Sequence, residues 1–521
     1  MFERKKTLAL FRSPQARPLL ALYRHASEFR QRLPVPWMLG GVGLSHPISL
    51  PHDSLINCSD PGHAHIDWTT LYESGHMDGA CSSSAACPPP KGSLYQCPSP
   101  ISQLDCTRYS SVDNSSGVIQ PYLDIARQYG WANYMFQTNQ GPSFPAHQFL
   151  ISGTSAPDGK MVPLYSYFAL NNPSHGNEEA GCAASSGTLE TLISPMGDES
   201  TKIYPCFEHP TLTDLLDNAV PPIPWRYYSG LAKSIWTAPN AISHICNNDT
   251  NNDGCGTLNN PPNHDWANDV APFLERSATE NTLAPFLNDL QPGSCNFPAN
   301  WPGGVMFVVP DGRWSDHPQD GVGVGAQRVG LGPDWVANIV NAIGLNNCTS
   351  GNQPNWSNTV ILITWDDWGG WYDHLSPTDT THGPGIGYSN GTGQQYVYGF
   401  RVPLLVVSEW VKNDSSLGGH ISNVEHDFGS ILSFIEQTYG ITTNIYPAYE
   451  YADFFAPDNP SPLSDFFCFP PTCQTPPHAT FNQISLYNDS NVCSTSICGS
   501  NYCDAKCFIN YPGSPSDPDT Y

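Results

Sequence analysis

The sequence predicts an α/β fold, a mainly parallel sheet flanked by helices on both faces. Three observations predict it. Short apolar runs rich in β-branched residues end in turn signals, helical patterns lie between and after them, and 521 residues with 12% aromatics suffice for a large core. Only 13% of residues are charged, while 50 prolines and 44 glycines mark a loop-rich globular chain rather than a coiled coil.

Taken in order, the chain opens on a basic leader. Its first 32 residues hold eight of the 21 Lys and Arg (Arg4, Lys5, Lys6, Arg12, Arg17, Arg24, Arg30, Arg32) and two acids. The remainder carries 13 basic and 45 acidic residues, a formal charge of −32, which repels nucleic acid and anionic surfaces. No nucleic-acid partner is therefore expected. Arg and Pro interrupt the leader's apolar pieces "TLALF" and "PLLALY", so residues 1–45 read as an atypical leader outside the core, with no evident signal peptide. No apolar run approaches the ~20 residues of a membrane span.

Further along, "VMFVVP" (305–310), "TVILIT" (359–364) and "VPLLVVS" (402–408) read as buried parallel strands. "PDWVANIVNAIG" reads as a helix from Pro333 to Gly344, with Trp335, Val336, Ile339, Val340 and Ile343 on one face. In "SNVEHDFGSILSFIEQTYG", Ser422 and Glu425 have the spacing of a capping box. Phe428, Ile431, Leu432, Ile435 and Tyr439 form that helix's apolar face, and Gly440 is its stop. Residues 153–205 and 244–300, rich in Gly, Asn, Ser, Pro and Cys, read as excursions forming a rim.

Seventeen cysteines point to an oxidising compartment, secreted or periplasmic. Cys468, Cys473, Cys493, Cys498, Cys503 and Cys507 crowd the tail at spacings unlike the C-x2-C pairs of zinc ribbons, which favours disulfides. Sequons such as those at Asn114 and Asn355 fit an exported surface.

In an open α/β sheet, ligands bind beyond the carboxyl ends of the strands. Two strands deliver polar residues there, in "VVPDGRWSDHPQD" and "WDDWGGWYDHLSP". Asp366 and Asp367 stand side by side, and like charges that close need a cation, a shared proton or full solvation. Clustered carboxylates suit a divalent cation; a solvated turn is the plainer alternative. Ser143, between Gly141-Pro142 and Phe144-Pro145 with His147 nearby, reads either as a nucleophile or as a structural serine. It lacks the G-x-S-x-G elbow of α/β-hydrolases. His63, His65, His264 and His317 are loop histidines, with Asp316 and Asp320 near the last, and Asp373-His374 is a pair or an ordinary turn. Together these residues suggest metal-assisted hydrolysis.

Read as a set, "DPGHAHIDW…GHMDG", "FQTNQGPSFPAHQFLISGTS", "TLTDLLD…WRYYS", "FVVPDGRWSDHPQDG", "ITWDDWGGWYDH" and "YGFRVPLLVVS…EHDFGSILSFIEQTYG" resemble the phosphoesterase family of bacterial phospholipases C and acid phosphatases, within the alkaline-phosphatase-like superfamily. The segments lie in family order over roughly residues 58 to 440. The resemblance implies a phosphoesterase domain over 46–455 and a Cys-rich elaboration over 456–521. It implies that Ser143 is the nucleophile and also a metal ligand, and that Asp366 and Asp367 bind a divalent metal of unknown identity. His264 and His317, and less directly His63, would bind phosphate or protonate the leaving oxygen. The substrate would be a phosphate ester, with phospholipid head groups among the candidates.

One departure stands out. The family opens on a strand followed by Glu-Asn, and nothing in residues 1–57 resembles it, so the domain is expected to be N-terminally incomplete. The one Glu-Asn present, Glu280-Asn281, lies in a polar stretch. A non-catalytic exported binding protein on the same fold is the alternative. A sulfatase-like esterase is disfavoured, because the chain has no C-x-[PA]-x-R motif.

Overall fold

The computed structural model describes residues 62–72, 117–158, 167–174, 179–194, 197–246, 266–274, 301–310, 314–317, 331–346, 353–369, 375–377, 398–413, 419–446 and 451–487, with a few single positions and pairs besides, among them Cys255, Asp289 and Asp373. The basic leader, His264, Asp320, the Glu280-Asn281 pair and Cys493 to Cys507 lie outside the described residues.

In chain order the principal elements are α1 (His65–Tyr72), α2 (Gln120–Gln128), β1 (Gly130–Met135), α3 (Ser143–Ser152), β2 (Phe168–Ala169), β3 (Glu190–Ile193) and β4 (Thr201–Ile203). There follow α4 (Leu212–Asp217), β5 (Trp225–Tyr228), β6 (Val305–Val308), α5 (Leu331–Gly344) and β7 (Ile361–Thr364). β8 (Leu404–Val407), β9 (His420–His426), α6 (Phe428–Tyr439) and α7 (Ala452–Phe455) complete the set.

The main sheet runs in the order β9, β1, β8, β7. β9 and β1 are parallel, but β8 is antiparallel to both β1 and β7. β5 and β6 form a separate parallel pair, and β2, β3 and β4 an antiparallel meander. The expected mainly parallel sheet is thus a mixed one. The misreading has a physical source. All four residues of β8 are buried, so its unbroken apolar run reports helices on both faces and says nothing of strand direction.

Helix α5 covers one face. Its Trp335, Ile339 and Ile343 pack with Met306 and Val308, while Ala337 and Val340 pack with Leu405 and Val407. On the other face Phe149 of α3 and Phe428 and Leu432 of α6 share a core with Met135, Leu404 and Val406. The apolar face of α6 is as expected at Phe428, Leu432 and the partly buried Ile431 and Ile435, although Tyr439 is exposed.

The start of α6 differs from the sequence reading. Ser422 and Glu425 lie in β9, where the pairing with β1 is irregular between them, rather than at a helix start. The N-cap is Asp427, whose side chain accepts from Ser430 N while Ser430 Oγ accepts from Asp427 N. Gly440, at φ 72°, ends the helix as predicted.

The first excursion is the β2–β4 meander, tied by Cys182–Cys206; the second contains Cys246–Cys255. A third disulfide, Cys468–Cys473, lies in the C-terminal stretch, where Leu463 and Phe466 enter the same core as α3. Among the described residues, no helix is long and apolar enough to cross a membrane.

Candidate active site

The site is built where three chain segments meet. The turn before α3 is fixed first. Gly141 carbonyl accepts from Gln137 Nε2 and, at 3.1 Å, from Asn139 Nδ2, and a Cβ on Gly141 would overlap the Leu170 carbonyl. Only glycine fits so close a backbone approach.

Pro142 then caps α3, which makes Ser143 its first residue. Proline suits the start of a helix because the N–H it lacks would have no intrahelical partner there. Phe144 N, one of the donors a helix leaves without an internal acceptor, binds Asn172 Oδ1 at 2.9 Å. The meander thereby braces the helix start. Nine of the ten residues of α3 are buried, Ser143 at 2% exposure among them.

At the carboxyl end of β7 the chain turns through Asp366 and Asp367. Asp367 Oδ1 accepts from Gly369 N, and Gly369 has a φ of 51°, a left-handed conformation that glycine adopts freely. That bond orients the carboxylate, and its other oxygen, Oδ2, accepts from Ser143 Oγ at 3.0 Å. One helical turn beyond Ser143, His147 Nε2 lies 3.3 Å from Asp366 Oδ2. Each member of the acidic pair is therefore engaged by one residue of α3.

A cavity of about 910 Å³ is lined by Ser143, His147, Asp316, His317, Asp366 and Asp367 among others. His317 Nε2 is 3.4 Å from His63 Nε2, with ring centroids 5.1 Å apart, and His63 meets Trp368 edge-on. The Asp316 carboxyl accepts from Tyr122 Oη at 2.8 Å and Trp365 Nε1 at 3.2 Å. Burial pushes it up to about 6, against those two donors.

Of the residues singled out from sequence, Ser143, Asp366, Asp367 and His317 therefore line one cavity, and His63 adjoins it through His317. His65 is bound elsewhere, Nδ1 to Glu199 Oε1 at 2.8 Å and Nε2 to Gln140 Oε1 at 3.1 Å. Asp373 pairs with Arg401, accepting from Nε at 2.8 Å and Nη2 at 2.9 Å. Gly370, Trp371, Tyr372 and His374 lie outside the described residues.

A second group of ligating side chains converges around His426, Asp458 and Asp465. Its ring is fully buried, with Nδ1 2.8 Å from Asp458 Oδ2 and Nε2 3.4 Å from Asp465 Oδ2. Burial works against the charge, but the hydrogen bonds and charges of the two carboxylates outweigh it and push His426 up to about 9. The three side chains are placed so that they could hold a metal ion; in its absence the charged imidazole joins β9 to the C-terminal stretch through the two carboxylates.

The donor set at Ser143 has different chemistry. A hydroxyl and two adjacent carboxylates are hard oxygen donors, the kind that suit a divalent cation. The sequence supplies the identification. Residues 57–442 match the model of the Phosphoesterase family. The chain belongs to the Phosphoesterase family.

Similar members of curated function are phospholipases C. The non-hemolytic phospholipase C of Pseudomonas aeruginosa is 28% identical over 158 residues, 26% of this chain and 20% of that protein. Phospholipase C B of Mycobacterium tuberculosis is 29% identical over 177 residues, 30% of each chain. Non-specific phospholipase C6 of Arabidopsis thaliana is 28% identical over 103 residues, 18% of this chain and 19% of its own. The matches thus span less than a third of these relatives' lengths.

Two features of this site were not drawn from the sequence. The Arg401–Asp373 pair joins positions 28 apart, and Arg401 Nη1 also donates to Asn133 O at 2.8 Å, so the guanidinium is fixed at the cavity wall. The His147–Asp366 contact is the other. Its signal was the four-residue spacing from Ser143, which places both side chains on one face once a helix is recognised.

Proposed function

We propose that this member of the Phosphoesterase family is an exported, metal-dependent phospholipase C-like or acid phosphatase-like hydrolase that cleaves phosphate esters through Ser143. The observation that carries the reading is the 3.0 Å contact between Ser143 Oγ, at the start of a buried helix, and Asp367 Oδ2. Phospholipase C relatives support the reaction class, and three disulfides among the described residues support export.

Asp366, Asp367 and Ser143 would hold the divalent cation. Bound there, it supplies Lewis-acid neutralisation of the phosphoryl oxygens and lowers the serine's pKa. The chain's own groups do the rest. Ser143 Oγ, its proton lost to solvent, forms a bond to phosphorus as the ester P–O bond breaks. His317, steadied by His63, gives a proton to the departing alcohol oxygen. Water then attacks the phosphoserine as the P–Oγ bond breaks, its proton passes to His317, and Ser143 regains a proton from solvent. The amino end of α3 faces the phosphoryl group with its positive pole. His147 acts as a positioning residue through Asp366. The substrate class is a phosphate mono- or diester, a phospholipid head group included.

The test is hydrolysis of p-nitrophenyl phosphate and p-nitrophenylphosphocholine by the full chain, after EDTA treatment and with Mg²⁺, Ca²⁺, Mn²⁺ or Zn²⁺ restored. Turnover that requires metal and vanishes in Ser143→Ala is the expected result. A folded wild type inert under every metal would leave the binding-protein alternative. Full activity in Ser143→Ala would overturn the serine mechanism.

A further inference from the structure

The group around His426 lies apart from the cavity, which none of Ser422, His426, Asp458 and Asp465 lines. The two sides of its imidazole are unlike. On one, Nδ1 meets Asp458 Oδ2 at 2.8 Å, the length of a charge-assisted hydrogen bond. Asp458 is itself held, since Ser430 Oγ donates to its Oδ1 and Leu463 N to its Oδ2, each at 2.8 Å. That carboxylate fixes the ring's orientation and keeps a proton on Nδ1. Phe466 packs against the ring, with centroids 5.5 Å apart.

On the other side the spacing is wider. Nε2 lies 3.2 Å from Ser422 Oγ and 3.4 Å from Asp465 Oδ2. One N–H cannot point well at two oxygens, and neither distance is that of a strong ionic hydrogen bond. Asp465 Oδ2 is shielded from solvent and has no hydrogen-bond partner, a costly state for a carboxylate oxygen. The same spacing suits the ligands of one cation. Zinc bonds of about 2.0–2.2 Å at the tetrahedral angle set neighbouring donors roughly 3.3–3.6 Å apart.

We propose that this group is a structural zinc site, with His426 Nε2, Asp465 Oδ2 and Ser422 Oγ as ligands, Asp458 behind the imidazole and water in the fourth position. The imidazole donor favours zinc over calcium or magnesium, which take oxygen ligands. On binding, the ion takes the place of the Nε2 proton, which leaves to solvent, while Nδ1 keeps its own. The Asp465 side chain, 19% exposed, marks the path of entry. Ser422 and His426 belong to β9 and flank its irregular pairing, whereas Asp465 belongs to the C-terminal stretch, so the ion fastens one to the other. Beyond the ring, His426 O accepts from Phe136 N at 2.9 Å and Phe428 N donates to Thr138 Oγ1 at 2.9 Å. The fastened strand therefore backs the segment that leads to Ser143. The proposal stands apart from any hydrolytic activity.

The test uses the full chain carrying Asp366→Asn and Asp367→Asn, so that the other carboxylate pair does not contribute. After EDTA treatment and dialysis, Zn²⁺ is titrated, bound metal is counted by elemental analysis and Tm is followed alongside. Co²⁺ then reports the geometry, since a tetrahedral cobalt ion absorbs strongly in the visible and an octahedral one weakly. One zinc per chain at a Kd of ~10 μM or below, a raised Tm and a strong cobalt spectrum are expected. Asp465→Asn, which keeps the shape of the side chain, should weaken zinc binding at least about tenfold and remove the rise in Tm. In the otherwise unaltered chain it should lower the zinc count by one. Ser422→Ala, which leaves the Asp458–His426 bond intact, takes its place if Asp465→Asn does not fold. No zinc uptake below ~100 μM would refute the proposal, as would a weak cobalt spectrum or zinc binding unchanged in both variants.

Discussion

Ser143 Oγ lies 3.0 Å from Asp367 Oδ2, although 224 residues separate them in sequence. The hydroxyl starts a helix and the carboxylate follows a strand, so the contact ties the two ends of the site together. If they act as one unit, Ser143→Ala and Asp367→Asn each lower kcat at least ~10³-fold, and the double variant is no worse than the weaker single one. Steady-state hydrolysis of p-nitrophenyl phosphate measures this. Losses that multiply would show two independent contributions.

His317 is assigned to the leaving oxygen, and its effect should follow leaving-group chemistry. His317→Gln is expected to lower kcat/KM about 10²-fold for an alkyl phosphate and far less for p-nitrophenyl phosphate, whose phenolate departs without a proton. Equal losses on both substrates would instead place His317 in phosphate binding.

Glu436 on α6 is buried, and burial, reinforced by the charge of Asp453, pushes it up to about 9. A carboxyl raised above its unfolded value stabilises the fold below that value. The contribution is lost as pH rises through the folded pKa. Stability should therefore decline between about pH 5 and pH 9. Glu436→Gln should relieve that decline, by a few kcal/mol at ~pH 8, and leave the melting temperature near pH 5 almost unchanged. Urea melts at the two pH values decide it, and the same shift at both would refute the assignment.

Cys182–Cys206 closes 24 residues that contain most of the meander bracing the start of α3. Replacing both cysteines with alanine should cost about 3 kcal/mol, read from urea unfolding. A change below ~0.5 kcal/mol would show the meander is held by its own contacts.

What could be read from the sequence followed its local patterns. The helix around Trp335 and Ile339, the glycine stop at Gly440 and the strands at 305–308, 361–364 and 404–407 all carry their signal in a few neighbouring residues. Strand direction does not, because a run such as that of β8 is equally apolar whichever way it points. Ser422-x-x-Glu425 imitated a cap inside a strand whose pairing is irregular at that place, while the working cap uses Asp427 and Ser430. The proximity of Ser143 to Asp367 has no local signature, and only the ordered resemblance to a family placed them together. The His426 triad had no such aid, since its partners Asp458 and Asp465 lie beyond the resembling segments.

Helix α3 presents almost no surface to solvent. Ser143, the proposed nucleophile, is therefore held as firmly as the hydrophobic centre itself. Heat or urea should then abolish turnover and tertiary structure in one step, with no inactive yet folded species between.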